Sequence, residues 1–287
     1  MERWVTASII TIIVTLSGST GYFAYTYTVA HAPQPPASQK PELRVFIAAS
    51  LINVVQNVSK QFEDQYNCTV VFNSGGSDQL YQQIYSGSPC DVFMAADFKW
   101  TNLLKSEKLL HNNQYWNFTT NKLVVIMPAD NPKNITSLID LVKPGVKVIA
   151  AAYTVPVGSY TNKTLTKIET TWGNPSSPKY KGAQWQYYRE NIITNTISYE
   201  PNVENIVGKI KLGIGDAGFA YISDVIFQGN SIKYLKIPDD VNTKGTYGLA
   251  VVSNSAHRDL ANEYVQFWLS NQGQALLNQF GFGTDIQ

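Results

Sequence analysis

Leu43-Arg-Val-Phe-Ile-Ala-Ala-Ser50-Leu51-Ile-Asn-Val-Val-Gln-Asn-Val58 changes its period in mid-run. Leu43 to Ala49 is a short apolar stretch ending in small residues, the pattern of a buried strand. From Leu51 the apolar positions fall at Leu51, Val54, Val55, Val58 and Phe62, which is helical spacing. Ser50 marks the junction. The same succession recurs outward along the chain. Cys68-Thr-Val-Val-Phe72 reads as a strand and Leu80 to Tyr85 as a helix; Asp91-Val-Phe-Met-Ala95 and Lys122-Leu-Val-Val-Ile-Met127 read as buried strands. Strand Val146 to Ala151, a helix from about Tyr160 and a helix from Val203 to Lys211 follow. Strands Ala217 to Tyr221 and Gly248 to Val252 precede a last helix, His257 to Leu269. This alternation predicts an α/β fold with largely parallel sheets.

Composition narrows the function. Of 287 residues 44% are hydrophobic, and 15% are charged against a usual share of about 25%. The net charge of +1 gives no basic face for nucleic acid and no acidic tail. An anion bound here must be held by local dipoles rather than by a general positive field. His31, His111 and His257 are scattered, and nothing has metal-ligand spacing. Cys68 and Cys90 are equally consistent with a disulfide or with two buried thiols.

From Trp4 to Ala30 no Asp, Glu, Lys or Arg occurs, and Arg3 stands just before. Residues 1–32 are therefore expected to be an export signal, cut at Ala30-His31-Ala32, or an N-terminal membrane anchor. Pro33-Gln-Pro-Pro-Ala-Ser-Gln-Lys-Pro41 reads as an extended tether over 33–42. Sequons at Asn57, Asn67, Asn117, Asn134 and Asn162 give weak further support for surface exposure.

Open α/β sheets gather helix N-termini at the carboxyl ends of their strands, and unpaired amides there attract anions. Five junction features carry suitable chemistry. Ser50 takes an N-cap position, whose ordinary role is to satisfy its own helix. Ser77 follows Gly75-Gly76, which permits close backbone approach. Pro156 opens a helix and leaves the amides of Val157 and Gly158 free to donate. Pro201 heralds the helix at Val203, and Tyr221 ends a strand. Each has an ordinary structural explanation alone; five in succession do not.

At this point the chain resembles the molybdate-binding proteins of ABC transporters, from about Leu43 to Phe282. The segments that carry the likeness are Val45 to Leu51, Gly75-Gly-Ser77, Ile84 to Trp100, Val155 to Tyr160, Gly215 to Asp224 and Gly281-Phe282. The resemblance implies a two-lobed, type II periplasmic-binding-protein-like fold, with mixed sheets flanked by helices and two crossover strands as a hinge. It places one lobe at 43–124 plus 246–287 and the other at 125–245. It implies that Ser50, Ser77, the amides of Val157 and Val203, and Tyr221 bind a tetrahedral oxyanion, molybdate or tungstate. No cofactor and no directly bound metal are implied. The expected protein is a monomer at the cell surface, outside the cytoplasm, serving a permease with its ATPase.

Two carboxylates depart from the family pattern, Asp78 and Glu204, and are expected to face away from the anion. Ala220 and Tyr153-Thr-Val155 stand where some relatives carry extra carboxylates, which favours plain tetrahedral coordination. Rival readings are a sulfate or ferric-iron binder, the latter through Tyr187-Tyr188, or a tethered oxyanion sensor. A secreted enzyme lacks support: no G-x-S-x-G or H-E-x-x-H occurs.

Overall fold

A computed structural model describes residues 9–18, 21–30, 40–226 and 228–283, the first two segments by backbone alone. Met1–Lys40 and Pro41–Gln287 form separate units. In the first, β1 (Ile9–Gly18) pairs antiparallel with β2 (Gly21–Ala30), Ile9 opposite Ala30 and Gly18 opposite Gly21. Ile, Val and Thr fill Ile9 to Thr15, and such β-branched residues favour strands over helix. No helix among the described residues is long and apolar enough to cross a membrane. Most of the expected A-x-A site and tether, residues 31–39, lies outside the described residues.

The second unit begins with β3 (Glu42–Ala48), α1 (Ile52–Tyr66), β4 (Thr69–Gly75), α2 (Ser77–Tyr85), β5 (Val92–Ala95) and α3 (Phe98–Ser106). The long β6 (Trp116–Pro128) leads to β7 (Val148–Ala151), α4 (Pro156–Ile168), α5 (Tyr188–Asn195), β8 (Thr196–Glu200), α6 (Val203–Lys211) and β9 (Ala217–Tyr221). Then come α7 (Ile222–Ile226), β10 (Ile232–Lys236), β11 (Lys244–Val251), α8 (Arg258–Leu269) and α9 (Asn271–Gln279). The strand order is β4-β3-β5-β11-β6-β9-β7-β8, with β10 on β6.

The sheet is mixed. β3 runs parallel to β4 and β5, and β7 runs parallel to β8 and β9, as the strand–helix rhythm requires. The centre is antiparallel because β6 and β11 each change partner midway. β6 pairs with β11 over Trp116–Lys122 and with β9 over Leu123–Ile126. β11 pairs with β6 over Lys244–Leu249 and with β5 over Gly248–Val251. Both strands thus pass from one half of the sheet to the other.

Hydrophobic cores follow the two halves. One cluster is drawn from Leu123 to Val241 with Ala49. Two others combine residues from Leu43 to Phe118 with residues from Tyr247 to Phe282. Helix α1 buries the apolar stripe read from its sequence, Val54, Val55, Val58 and Phe62, and ends at Asn67 in the left-handed region. Cys68 and Cys90 lie buried in different clusters and are not bridged. Burial pushes the Cys90 thiol pKa far up, so it behaves as a small apolar residue.

Candidate functional site

A cavity of about 20 Å³ is lined by Ser50, Ser77, Val157, Val203 and Tyr221, all five residues singled out above, together with Gly76, Ala96 and Asn202. One water needs roughly 10–15 Å³ by the same measure, so the space suits a compact ion rather than a sugar or peptide. No Lys, Arg, His, Asp or Glu lines it.

Ser50 is not the N-cap that the sequence suggested. Ser50 is the middle residue of a 3-10 turn, Ala49–Leu51, ahead of α1, and Ala48 precedes that turn. The turn tightens the entry to α1 and leaves the Ser50 hydroxyl free of capping. It lies 2.8 Å from Tyr247 Oη instead. Ser77 is the first residue of α2, with Gly76 as the N-cap. Its Oγ accepts from the Ala96 amide at 3.0 Å, which leaves its own hydrogen to donate elsewhere.

Val157 and Val203 both stand in the first turn of a helix. No side chain caps α4, whose first residue is Pro156, so its first-turn amides have no side-chain partner, and Val157 lines the cavity. That helix approaches β7 so closely that a Cβ on Gly158 would meet the Ala152 carbonyl oxygen at 2.0 Å. In α6, Asn202 Oδ1 accepts from the Asn205 amide at 3.1 Å. That occupies the third-position amide and leaves the Val203 amide at the cavity.

Tyr221 is buried, and its hydroxyl has no hydrogen-bond partner. Burial drives its pKa well above the usual tyrosine range, so it is a protonated donor waiting for an acceptor. The Tyr221 amide donates to Asp224 Oδ2 at 2.8 Å. Burial, with Glu204 nearby, pushes the Asp224 carboxyl up to about 8 despite that hydrogen bond, so it is largely neutral at pH 7. A carboxyl raised above its unfolded value near 4 stabilises the fold fully below about pH 4 and loses that contribution as pH climbs through about 8. Asp224→Asn keeps an acceptor for the Tyr221 amide and cannot ionise. By calorimetry its melting temperature is expected to match the parent near pH 4 and to exceed it increasingly towards about pH 9.

Asp78 and Glu204 are not part of the cavity lining. Glu204 is exposed and lines a separate crevice of about 220 Å³ with Asp224, Lys211 and Gln228, where partial desolvation raises its pKa. The tyrosine pair that motivated an iron-binding reading is split. Tyr187 is 72% exposed, whereas Tyr188 is buried and donates to the Leu138 carbonyl oxygen at 2.7 Å. No group of His, Cys, Asp and Glu able to hold a metal occurs among the described residues. Sequence reading missed the residues behind the serines, namely Ala96, Tyr247 and Asn121. They reach the site from distant strands, and no local pattern marks them.

Comparison with known proteins places the chain in a family. The family model for bacterial extracellular solute-binding proteins matches residues 43–283. The molybdate-binding protein ModA of Mycobacterium tuberculosis is 29% identical over 254 residues, covering 88% of each chain. The solved periplasmic molybdate-binding protein of Azotobacter vinelandii superposes with a TM-score of 0.70 at 19% identity, covering 84% of this chain and 98% of that one. The sulfate-binding protein SubI of M. tuberculosis gives 0.72 at 18% identity, with 85% and 88% covered. At those identities the two structures speak to the fold, which is that of type II periplasmic binding proteins. With a match over nearly all of its second unit, the chain belongs to the family of bacterial extracellular solute-binding proteins.

Proposed function

We propose that this chain captures molybdate or tungstate as a tetrahedral oxyanion and delivers it to the permease of an ABC transporter. The observation that carries this reading is the convergence of donors without acceptors on one small, uncharged cavity, with the Tyr221 hydroxyl left unpartnered there. Ser50, Ser77, Tyr221 and the amides of Val157 and Val203 would replace the ion's hydration shell. Hydrogen bonds to a charged group contribute roughly 1.5–3 kcal/mol each. Five of them supply about 7–15 kcal/mol before desolvation and ordering costs, enough for micromolar or tighter capture that remains reversible.

Binding rather than turnover is supported by what surrounds the hydroxyls. Ser50 has a phenol beside it and Ser77 a backbone amide, and neither is a general base. The lobes in this reading are 43–124 with 246–287 and 125–245, each with its own hydrophobic core, closing on the ion about β6 and β11. Residues 1–32 serve as export signal or anchor, and the chain works as a monomer outside the cytoplasm. Sulfate is the second reading, because an all-donor lining accepts any unprotonated tetrahedral dianion and only size separates the three.

Calorimetry of the purified chain with molybdate, tungstate, sulfate and hydrogenphosphate tests the reading. Dissociation constants of ~1 μM or lower are expected for the first two, with hydrogenphosphate at least about a hundredfold weaker. Absence of binding by every tetrahedral oxyanion would overturn it.

A further inference from the structure

We infer that Tyr247 and Asn121 are positioning residues that make Ser50 an obligate hydrogen-bond donor, and so set the site's preference for fully deprotonated anions. The inference rests on the oxyanion reading above and adds two residues that reach the ligand only through Ser50.

The direction of the chain of hydrogen bonds is fixed from its remote end. The backbone amide of Lys122, which can only donate, lies 3.0 Å from Asn121 Oδ1. That contact settles which end of the Asn121 side chain is oxygen. Its Nδ2 therefore donates, to Ser223 Oγ at 2.8 Å and to Tyr247 Oη at 3.3 Å. Tyr247 is completely buried, and Asn121 and Ser50 are the partners its hydroxyl has. If Ser50 donated to Tyr247, the phenol oxygen would accept twice and its own hydrogen would be buried unpaired, an arrangement folded proteins avoid. The phenol instead donates to Ser50 Oγ across 2.8 Å. Burial keeps that phenol protonated, far above its usual range. Ser50, having accepted, has its hydrogen left for the cavity.

Ser77 obeys the same logic in one step, since the Ala96 amide occupies its oxygen. The two serines are thus oriented by different means, one by backbone and one by side chains, and only the second can be altered by substitution. Asn121 stands on β6 and Tyr247 on β11, the two strands shared between the halves of the sheet. Through Ser223 in α7, Asn121 also holds the segment that follows Tyr221.

Tyr247→Phe in the full chain removes the phenol and frees Ser50 to turn a lone pair towards the ligand. Molybdate binding is expected to weaken about tenfold, the size of one hydrogen bond's loss, while hydrogenphosphate, whose hydroxyl needs an acceptor, does not weaken. Equal weakening of both anions, or unchanged molybdate affinity in a folded variant, would overturn the inference. Asn121→Asp tests it from the other end, should Tyr247→Phe fail to fold. A carboxylate there can only accept, so the still-protonated phenol donates to it, and Ser50 then donates to Tyr247 rather than to the ion. In that background Ser50→Ala is expected to cost less than twofold in molybdate affinity; if it costs as much as in the parent, Asn121 does not direct Ser50. The parent's own molybdate titration separately tests the oxyanion reading.

Discussion

A chain carrying Ser50→Ala together with Tyr221→Phe is expected to bind molybdate about 10²–10⁴ times more weakly than the parent, each lost donor accounting for roughly 1.5–3 kcal/mol. The two substitutions have opposite effects on the empty protein, and this distinguishes loss of a ligand group from damage to the fold. Tyr221 Oη is buried without a partner, so Tyr221→Phe removes an uncompensated hydroxyl and should leave the melting temperature unchanged or raise it. Ser50→Ala deprives the buried Tyr247 phenol of its acceptor and should lower stability by about 1 kcal/mol. Titration calorimetry measures the affinity, and scanning calorimetry without ligand measures the stability. Parent-like affinity in the folded double variant would mean that the ion sits elsewhere.

Much of this site was legible in the sequence because its donors come from chain segments where a strand gives way to a helix. Period changes and proline mark such places directly. The prolines marked the helix starts that hold Val157 and Val203, and the family resemblance singled out their amides, which do not depend on side-chain identity. Ser50 was found for a reason that proved partly wrong, because it does not cap α1. Elements with little periodicity escaped. Helix α5 carries no clear apolar stripe, β8 alternates partly buried and exposed residues over only five positions, and α9 opens after Ser270 caps its start. The shared strands β6 and β11 read as buried apolar runs, and nothing local says that each changes neighbour halfway. Tyr247 and Asn121 were invisible for the same reason: their importance lies in pairings across more than a hundred residues of chain.

Gly76→Val is expected to weaken molybdate binding by about 10–100-fold while leaving the ligand-free protein folded with parent-like stability. Gly76 has φ −63° and ψ 135°, a conformation any L-residue adopts, so the substitution imposes no backbone strain. Its effect comes from what lies opposite. A Cβ at Gly76 would stand 2.7 Å from the Pro201 carbonyl oxygen and 3.5 Å from Val155 Cγ1. It would also meet Asp78 Oδ1 at 2.6 Å, but that side chain belongs to the same helix start and can turn away. Pro201 and Val155 adjoin the core drawn from Leu123 to Val241, whereas α2 after Gly76 packs in a cluster of the other half. The contact is therefore made between the halves, and separating them relieves it at no cost within either. Overpacking of this kind costs about 1–3 kcal/mol, charged here only against the closed form. Apparent affinity then falls by the fraction of molecules able to close, and the rise in melting temperature that ligand confers on the parent shrinks with it. Small-angle scattering should show the parent compacting on adding molybdate and the valine variant compacting less. If the folded variant bound molybdate as the parent does, the two halves would not need to meet at Gly76 for the ion to be held.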